Sequence, residues 1–239
     1  ERVVMTSSIA AISKPNGLHT DPYDDSAPAL TGEDWTNLEV DPTTISAYAT
    51  AKTQAERRAW SLTQALPQDA QFELVCINPS IVVGPVLSPH VSASVEVLHL
   101  LAAGKLPAMA GCPLPNPHVD VREVAQAHVQ ALTRPQAAGK RYVLHDDHHD
   151  MHGLFASLDS ELTSLGFKMP RYTIPMWFLR FLSWFSTDVK ALLHTLGPAC
   201  GRVRRIDGSR ATRELDVTYR PILDSYRDTI HSLVDLGAV

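Results

Sequence analysis

Hydrophobic residues along the chain fall into short runs that alternate with helical patterns. Apolar, β-branched runs predict strands at residues 2–6, 72–77 and 141–144, the first of them buried. Two stretches without proline or glycine predict helices at 46–66 and 121–132. Strands and helices that alternate at this spacing indicate an α/β fold with a parallel sheet.

The segments between these elements have weaker patterns. Residues 13–45 are rich in Pro, Gly, Asp and Thr, which predicts a loop that holds one turn at 33–35. A further helical pattern spans 91–103, and beyond about residue 150 the pattern is mostly helical. We therefore expect a smaller, mostly helical second lobe.

Composition and charge narrow the class of protein. The chain has 239 residues, 44% of them hydrophobic, and 21 basic against 26 acidic residues give a net charge of −5. That balance argues against binding to the phosphate backbone of a nucleic acid. No apolar run reaches the roughly 18 residues that cross a bilayer, and the first residues carry no secretion signal. We expect a cytoplasmic protein with no membrane partner.

Cysteines and histidines do not predict a metal site. Cys76, Cys112 and Cys200 are scattered without CxxC spacing, which predicts neither a disulfide framework nor a zinc site. Cys76 lies in a buried strand pattern and is expected in the core. Residues 145–150 (HDDHHD) and His152 are dense in metal-ligand types, yet they follow a strand end in an expected solvated loop. We expect no resident metal.

An aromatic stretch at 176–185 (MWFLRFLSWF) allows two interpretations. One is a helix that lies on a membrane surface, and the other is a helix that packs the small lobe and walls a substrate pocket. We favour the second, because the stretch has little basic charge.

Two groups of residues carry candidate chemistry. Thr6, Ser7 and Ser8 place hydroxyls at the carboxyl end of a predicted strand, where ligands bind in open α/β sheets. Tyr48 and Lys52 are four residues apart in the first predicted helix, so they share one face. A free phenol has a pKa of about 10, and a lysine ammonium beside it favours the phenolate. Such a pair suits proton transfer to a carbonyl oxygen as a nicotinamide delivers hydride.

Five motifs resemble, in order, the extended short-chain dehydrogenases/reductases of the NAD-dependent epimerase/dehydratase superfamily. The resemblance is greatest to the dihydroflavonol reductase and aldehyde (ketone) reductase branch. The motifs are residues 2–11 (RVVMTSSIAA), 33–35 (EDW), 48–60 (YATAKTQAERRAW), 78–85 (NPSIVVGP) and 118–125 (HVDVREVA). In the last of them Glu123 stands where the family usually has Asp.

The resemblance implies a role for each matched residue. Tyr48 would be the general acid, and Lys52 would tune it and hold the nicotinamide ribose. Ser8 would orient the carbonyl oxygen, with the adjacent Ser7 as the alternative. Beside Tyr48 and Lys52, the cofactor contacts would come from Thr6, Ser7, Pro79, Ser80 and Ile81.

One departure from the family concerns the phosphate-binding loop. None of the 12 glycines forms the expected GxxGxxG, and the residues that choose between NAD and NADP are also absent. We therefore expect the C-terminal part of a Rossmann-type doubly wound parallel sheet, with a smaller, mostly helical substrate lobe. The expected divisions are a partial NAD(P)-binding domain at 1–84, a substrate-lobe segment at 85–118, a return to the sheet at 119–150, and the helical substrate lobe at 151–239.

The resemblance predicts an oxidoreductase that reduces a ketone or aldehyde on a small molecule, with NADP as cofactor and NAD possible. Family habit also predicts a homodimer. One alternative is a sugar-nucleotide epimerase, whose diphosphate would be bound by Arg202, Arg204, Arg205 and Arg210. Others are a 3β-hydroxysteroid dehydrogenase-like enzyme and an inactive truncated remnant. The EDW motif and the AERRAW run favour carbonyl reduction.

Overall fold

The computed structural model describes residues 1–13, 28–39, 45–88, 95–96, 98, 100, 108–167, 172–187, 189–190, 193 and 200–238. They belong to two compact units. The first unit comprises Glu1–Ser80, Val119–Asp146 and Arg204–Tyr219, and the second comprises Ile81–His118, Asp147–Val203 and Arg220–Val239. The helix predicted at 91–103 lies mostly outside the described residues.

The described elements are given in chain order. The strands are β1 (Arg2–Thr6), β2 (Glu73–Pro79), β3 (Ile81–Val83), β4 (Ala108–Ala110), β5 (Pro115–Asp120), β6 (Arg141–Leu144), β7 (His148–Asp150) and β8 (Tyr172–Ile174). The helices are α1 (Ala47–Ala65), α2 (Val121–Thr133), α3 (Met151–Ser157), α4 (Asp159–Ser164), α5 (Met176–Leu182), α6 (Ser209–Leu215) and α7 (Ile222–Asp235). Ile9–Ala11 and Pro135–Ala137 form single turns of 3-10 helix.

A parallel sheet of β1, β2 and β6 organises the first unit, with β2 in the middle. Because the strands are parallel, their carboxyl ends at Thr6, Pro79 and Leu144 share one edge of the sheet. The three predicted strands are confirmed, and so is the Rossmann-type parallel arrangement of the fold class.

Two strands differ from the prediction in one respect each. β2 continues to Pro79, past the stop predicted before Asn78, because both residues pair with β6. β1 is not buried throughout, since it is the outer strand of this sheet within the described residues, and Val3 is 46% exposed.

The two helices predicted in this unit are also confirmed. α1 contacts β2, and α2 contacts β1 and β2. The Ser46 hydroxyl caps α1 by accepting a hydrogen bond from the Ala49 N–H at 3.1 Å. At the start of α2, the Asp120 carboxylate accepts from the Arg122 N–H at 2.7 Å, and the Glu123 carboxylate accepts from the Asp120 N–H at 3.1 Å. The HVDVREVA motif is therefore a strand end joined to a helix cap.

The segment Arg204–Tyr219 belongs to the first unit, although the pattern placed all of 151–239 in one lobe. Ile206 forms a parallel bridge with Leu30 and packs on the buried side chains of Ile12 and Val143. A contact between residues so far apart in sequence leaves no periodic signal, which is why the pattern did not separate this segment.

The second unit combines two small sheets with a helical core. β3, β5 and β7 form one sheet, in which β5 and β7 are antiparallel, and β4 pairs with β8 in parallel. Apolar side chains from α3, α4 and α7 fill the core, among them Leu154, Phe155, Leu158, Leu162, Ile222, Tyr226, Ile230 and Leu233. The prediction that helices predominate beyond residue 150 is confirmed for this core.

Cys112 and Cys200 form a disulfide bond in the second unit, with their Cα atoms 5.7 Å apart. The prediction of no disulfide is therefore wrong. The two cysteines are 88 residues apart in sequence, and a pairing at that distance has no recognisable spacing. Cys76 is buried in β2 as predicted, and burial raises the pKa of its thiol.

The histidine-rich segment at 145–150 is not simply a solvated loop, as predicted, since part of it is a strand. β7 pairs with β5, and His149 lies opposite Asn116. Its residues are half-buried, because the strand joins the sheet of the second unit. Among the described residues, no group of three or more His, Cys, Asp or Glu side chains is arranged to hold a metal ion.

The aromatic stretch is less buried than predicted. Leu179 of α5 is buried, whereas Trp177, Trp184 and Phe185 are 70%, 82% and 75% exposed. The prediction that this stretch packs into the lobe is wrong for those three rings, because a short helix turns only one side to the core. In the described part of the chain, no helix combines the length and the hydropathy needed to cross a bilayer.

Candidate active site

Tyr48 and Lys52 lie one turn apart in the first half of α1. The Lys52 ammonium is 5.9 Å from the centre of the Tyr48 ring, so the two share a face as their spacing predicted. Tyr48 is 58% exposed, and its hydroxyl is therefore accessible to a ligand. Within the described residues, the Lys52 ammonium has no hydrogen-bond acceptor. Both groups are available to bind a small molecule.

The hydroxyls of Thr6 and Ser7 bind opposite sides of the sheet, because successive residues of a strand point to opposite faces. Thr6 Oγ1 lies 2.7 Å from Nε2 of His128 on α2. Ser7 is buried, and its hydroxyl donates to the Glu56 carboxylate on α1 at 2.5 Å. The hydrogen of Ser7 is thus already used within the protein, which weighs against Ser7 as the serine that orients a carbonyl oxygen.

Ser8 is placed differently. Its Oγ accepts a hydrogen bond from the Ala10 N–H at 3.2 Å and so begins the 3-10 turn Ile9–Ala11. Its hydroxyl hydrogen has no acceptor among the residues that the structure describes. α1 packs against this turn, within the same unit. Ser8 therefore keeps a free donor near the helix that carries Tyr48, and its catalytic role stays a prediction.

The turn after β2 contains the other predicted cofactor contacts. The Ser80 N–H donates to the Leu144 carbonyl at 2.9 Å, while the buried Ser80 hydroxyl has no partner in the described residues. A buried hydroxyl without a partner is unfavourable, so this atom fits the polar group of a ligand. Pro79 ends β2, and Ile81 begins β3 in the second unit. The contacts of these two residues with a cofactor stay predictions.

A buried polar network lies beside these residues. We call Ser7, Glu56, Asn78 and Arg141 the Glu56 cluster, since the Glu56 carboxylate is its centre. That carboxylate accepts from Asn78 Nδ2 at 2.9 Å and from Arg141 Nε at 2.6 Å, besides the Ser7 hydroxyl. Burial raises the pKa of Glu56, but the hydrogen bond and charge of Arg141, with the hydrogen bonds of Ser7 and Asn78, bring it below its ordinary value. The cluster is therefore a buried ion pair.

Arg141 also joins this cluster to the EDW motif. Its Nη1 donates to the carbonyl oxygens of Gly32 and Asp34, at 2.7 and 2.5 Å. Its guanidinium carbon lies 3.7 Å from the centre of the Trp35 ring, in a cation–π contact. A Cβ at Gly32 would meet the Arg141 carbonyl oxygen at 2.5 Å, so the close approach of this turn requires glycine. The turn predicted at 33–35 is present, and it covers the guanidinium.

Sequence reasoning missed Glu56 and Arg141. Glu56 follows Lys52 by four residues, the spacing that joined Lys52 to Tyr48, and its helix is otherwise assigned a buried side there. Arg141 begins a strand that is otherwise apolar (RYVL), which signals a charge with a buried partner. Neither signal identifies the partner, because the two residues are 85 positions apart.

Comparison with known proteins gives relatives but no matching family model. The chain is 29% identical over 182 residues to the NADPH-dependent methylglyoxal reductase of Saccharomyces cerevisiae, a match that covers 71% of this chain and 50% of that protein. It is 35% identical over 144 residues to cinnamoyl-CoA reductase 1 of Arabidopsis thaliana, covering 60% and 38%. The crystal structure of Gre2 from Candida albicans superposes with a TM-score of 0.72 at 25% identity, covering 99% of this chain and 66% of that one. The chain thus matches half or less of the length of these curated relatives.

These comparisons agree with the motifs and with the fold. The sequence matches are to reductases, and the structural match extends over nearly the whole chain. The parallel sheet places the YxxxK helix against the turn that follows β1, as the resemblance implied. The chain belongs to the NAD-dependent epimerase/dehydratase superfamily of short-chain dehydrogenases/reductases.

Proposed function

We propose that this chain carries the catalytic residues of an NADPH-dependent reductase that converts a small ketone or aldehyde to an alcohol. The observation that carries the proposal is the exposed Tyr48 phenol with the Lys52 ammonium one helical turn away, 5.9 Å from its ring. The name of the yeast relative, a methylglyoxal reductase, supports carbonyl reduction and the choice of NADPH.

In this proposal each residue acts on one atom. The Tyr48 hydroxyl donates its proton to the carbonyl oxygen, and the phenolate that remains is stabilised by the Lys52 ammonium. The Ser8 hydroxyl donates a hydrogen bond to the same oxygen and so fixes its position. Bound NADPH would supply the hydride that reduces the carbonyl carbon. An alcohol and NADP⁺ are the products, so atoms and electrons balance.

The residues present fit the nicotinamide half of such a cofactor. The buried Ser80 hydroxyl lacks a partner in the described residues and would bind the carboxamide. The Lys52 ammonium, which likewise has no acceptor in the described part, would bind ribose hydroxyls. The sequence supplies no GxxGxxG loop for the diphosphate. We therefore expect weaker binding of NADPH by this chain than a complete phosphate-binding loop would give.

The test is a Tyr48→Phe substitution, assayed by NADPH oxidation with methylglyoxal as the probe substrate. We expect kcat to fall at least about 100-fold, because general acid catalysis contributes that much or more. The far-ultraviolet spectrum and Tm should be unchanged, since Tyr48 is 58% exposed. Tyr172→Phe, at an exposed tyrosine of the second unit, is the matched control and should leave kcat unchanged.

Two results would overturn the proposal. One is a Tyr48→Phe protein that keeps wild-type turnover. The other is a wild-type chain that binds neither NADPH nor NADH at millimolar concentration, measured by quenching of its 4 tryptophans. Saturable micromolar binding of NADPH, with turnover lost in Tyr48→Phe, would support it.

A further inference from the structure

The Glu56 cluster joins the elements that carry the proposed catalytic residues. Glu56 is on α1, Asn78 is on β2, and Arg141 is on β6. Asn78 Nδ2 lies 2.9 Å from the Glu56 carboxylate and 3.2 Å from the carbonyl oxygen of Ser8. One amide group therefore connects the helix of Tyr48 and Lys52 with the backbone of Ser8.

The side of α1 that faces the protein interior makes this connection important. Its buried residues are Ala49, Thr53 and Glu56, so no large apolar side chain of α1 is buried. The Thr53 hydroxyl donates to the Ala49 carbonyl of its own helix at 2.7 Å. Among the buried side chains, only Glu56 forms directional bonds from α1 to neighbouring strands. The orientation of the helix thus depends on Glu56 more than on interlocking apolar packing.

Glu56 is also well placed to control the position of Tyr48. The two residues are eight positions apart, which is about 12 Å along a helix axis. A tilt of about 5° about Glu56 moves Tyr48 by about 1 Å over that distance. A misplacement of about 1 Å at a reacting group can lower the rate about 100-fold. A small loss of orientation at the cluster is therefore sufficient to affect proton transfer.

We propose that Glu56, held by Arg141 and Asn78, is a positioning residue that fixes Tyr48 and Lys52 relative to Ser8. The inference rests on the proposed function. Its physical basis is that three donors converge on one buried carboxylate, which specifies a direction that apolar contacts do not. An ion pair in this position is not needed for stability alone, because well-packed apolar side chains of similar volume are often as stable.

That last point provides the experiment. Arg141→Met leaves the Glu56 charge buried and unpaired, whereas Glu56→Leu combined with Arg141→Met removes both charges. We expect the double variant to resist urea better than Arg141→Met alone. If the cluster positions the helix, its kcat stays about 10- to 100-fold below wild type while KM changes little. Lys140→Met, which breaks the partly exposed ion pair with Glu214 at 2.8 Å, is the control and should keep the wild-type kcat.

A second measurement does not need turnover. Carbon-13 labelling of the 6 tyrosines, with Tyr48→Phe to assign the resonance, reports the surroundings of the Tyr48 ring by NMR. We expect one sharp Tyr48 signal in the wild type and in Lys140→Met, and a shifted or broadened signal in the double variant. Should the double variant not fold, Asn78→Ala keeps the Glu56–Arg141 pair, breaks the link to Ser8, and is expected to lower kcat and move the signal in the same way.

The two proposals fail separately. A wild-type chain without turnover contradicts the proposed function, and the Tyr48 signal then decides the positioning role by itself. A folded double variant or Asn78→Ala protein with wild-type kcat would overturn the positioning role. So would an unshifted Tyr48 signal in either folded variant.

Discussion

Each unit of the molecule buries polar side chains, but the first buries charges and the second buries neutral rings. In the first unit, three donors surround the Glu56 carboxylate, and Arg141 supplies the opposite charge. In the second unit, His118 is fully buried, and its Nε2 lies 3.0 Å from the Tyr226 hydroxyl. Burial, and then the charge of His149, lowers the pKa of His118 to about 4, so the ring is neutral at neutral pH.

The difference teaches what each polar group does for its unit. The Glu56 cluster has many directional bonds and joins a helix, two strands and a turn, so it specifies a geometry. The His118–Tyr226 pair has one such bond, and its rings otherwise pack as core aromatics, with Tyr226 edge-on to Phe155 at 6.2 Å between centres. We infer that the first group sets orientation, whereas the second mainly fills space. Three predictions test that contrast.

Loss of one charge from the Glu56 cluster should have the largest effect. Arg141→Met is expected to lower the free energy of unfolding of the first unit by about 3–5 kcal/mol, because a buried carboxylate loses its counterion. Arg227→Met is the matched control, since Arg227 pairs with Glu161 and Asp224 on the surface at 3.0 and 2.7 Å. It should cost less than about 1 kcal/mol. Equal losses in urea titrations of the two variants would contradict the contrast.

Acid should weaken the two units over different ranges of pH. His118 has a pKa of about 4 in the folded protein and about 6.5 when unfolded, so the unfolded chain binds its proton first as the pH falls. Stability from the neutral ring is therefore present above pH 6.5 and is lost between about pH 6.5 and 4. At about 1.4 kcal/mol per pKa unit, the loss is about 3 kcal/mol. Hydrogen exchange of α7 amides at several pH values measures it, and His118→Gln should remove most of this dependence.

The same experiment distinguishes the Glu56 cluster. The pKa of Glu56 lies below its ordinary value of 4.5, so the cluster contributes stability above that value and loses it only as the pH falls through the folded pKa. Amides of α1 should therefore keep their protection from pH 6.5 to 5, where those of α7 weaken. Simultaneous weakening of both helices over that interval would show that the two buried groups do not act separately.

Removal of the single bond in the second unit should have the smallest effect. Tyr226→Phe deletes the hydroxyl near His118 and keeps the ring, so we expect a loss of about 1–2 kcal/mol in unfolding free energy. Tyr172→Phe removes an exposed hydroxyl and should change stability by less than about 0.5 kcal/mol. A loss from Tyr226→Phe as large as that from Arg141→Met would contradict a space-filling role for the His118–Tyr226 pair.

Local features of the sequence predicted more than distant ones. α1, its cap and the shared face of Tyr48 and Lys52 follow from composition and from the helical repeat, which act over a few residues. The Glu56–Arg141 pair, the place of Arg204–Tyr219 and the disulfide all join residues that are tens of positions apart. Such pairings are decided by the folded chain and not by any repeat along it, and the single sequence therefore did not predict them.

The disulfide between Cys112 and Cys200 also changes the mechanics of the chain. It closes residues 112–200 into a covalent ring, and that ring contains Val119–Asp146, a segment of the first unit. A force applied to the two ends of the oxidised chain passes through the sulfur atoms and bypasses everything between them. Roughly 300 Å of contour length, at about 3.5 Å per residue, is then shielded from tension until the bond is reduced. Both α2 and β6, with Arg141 on it, lie within that shielded length.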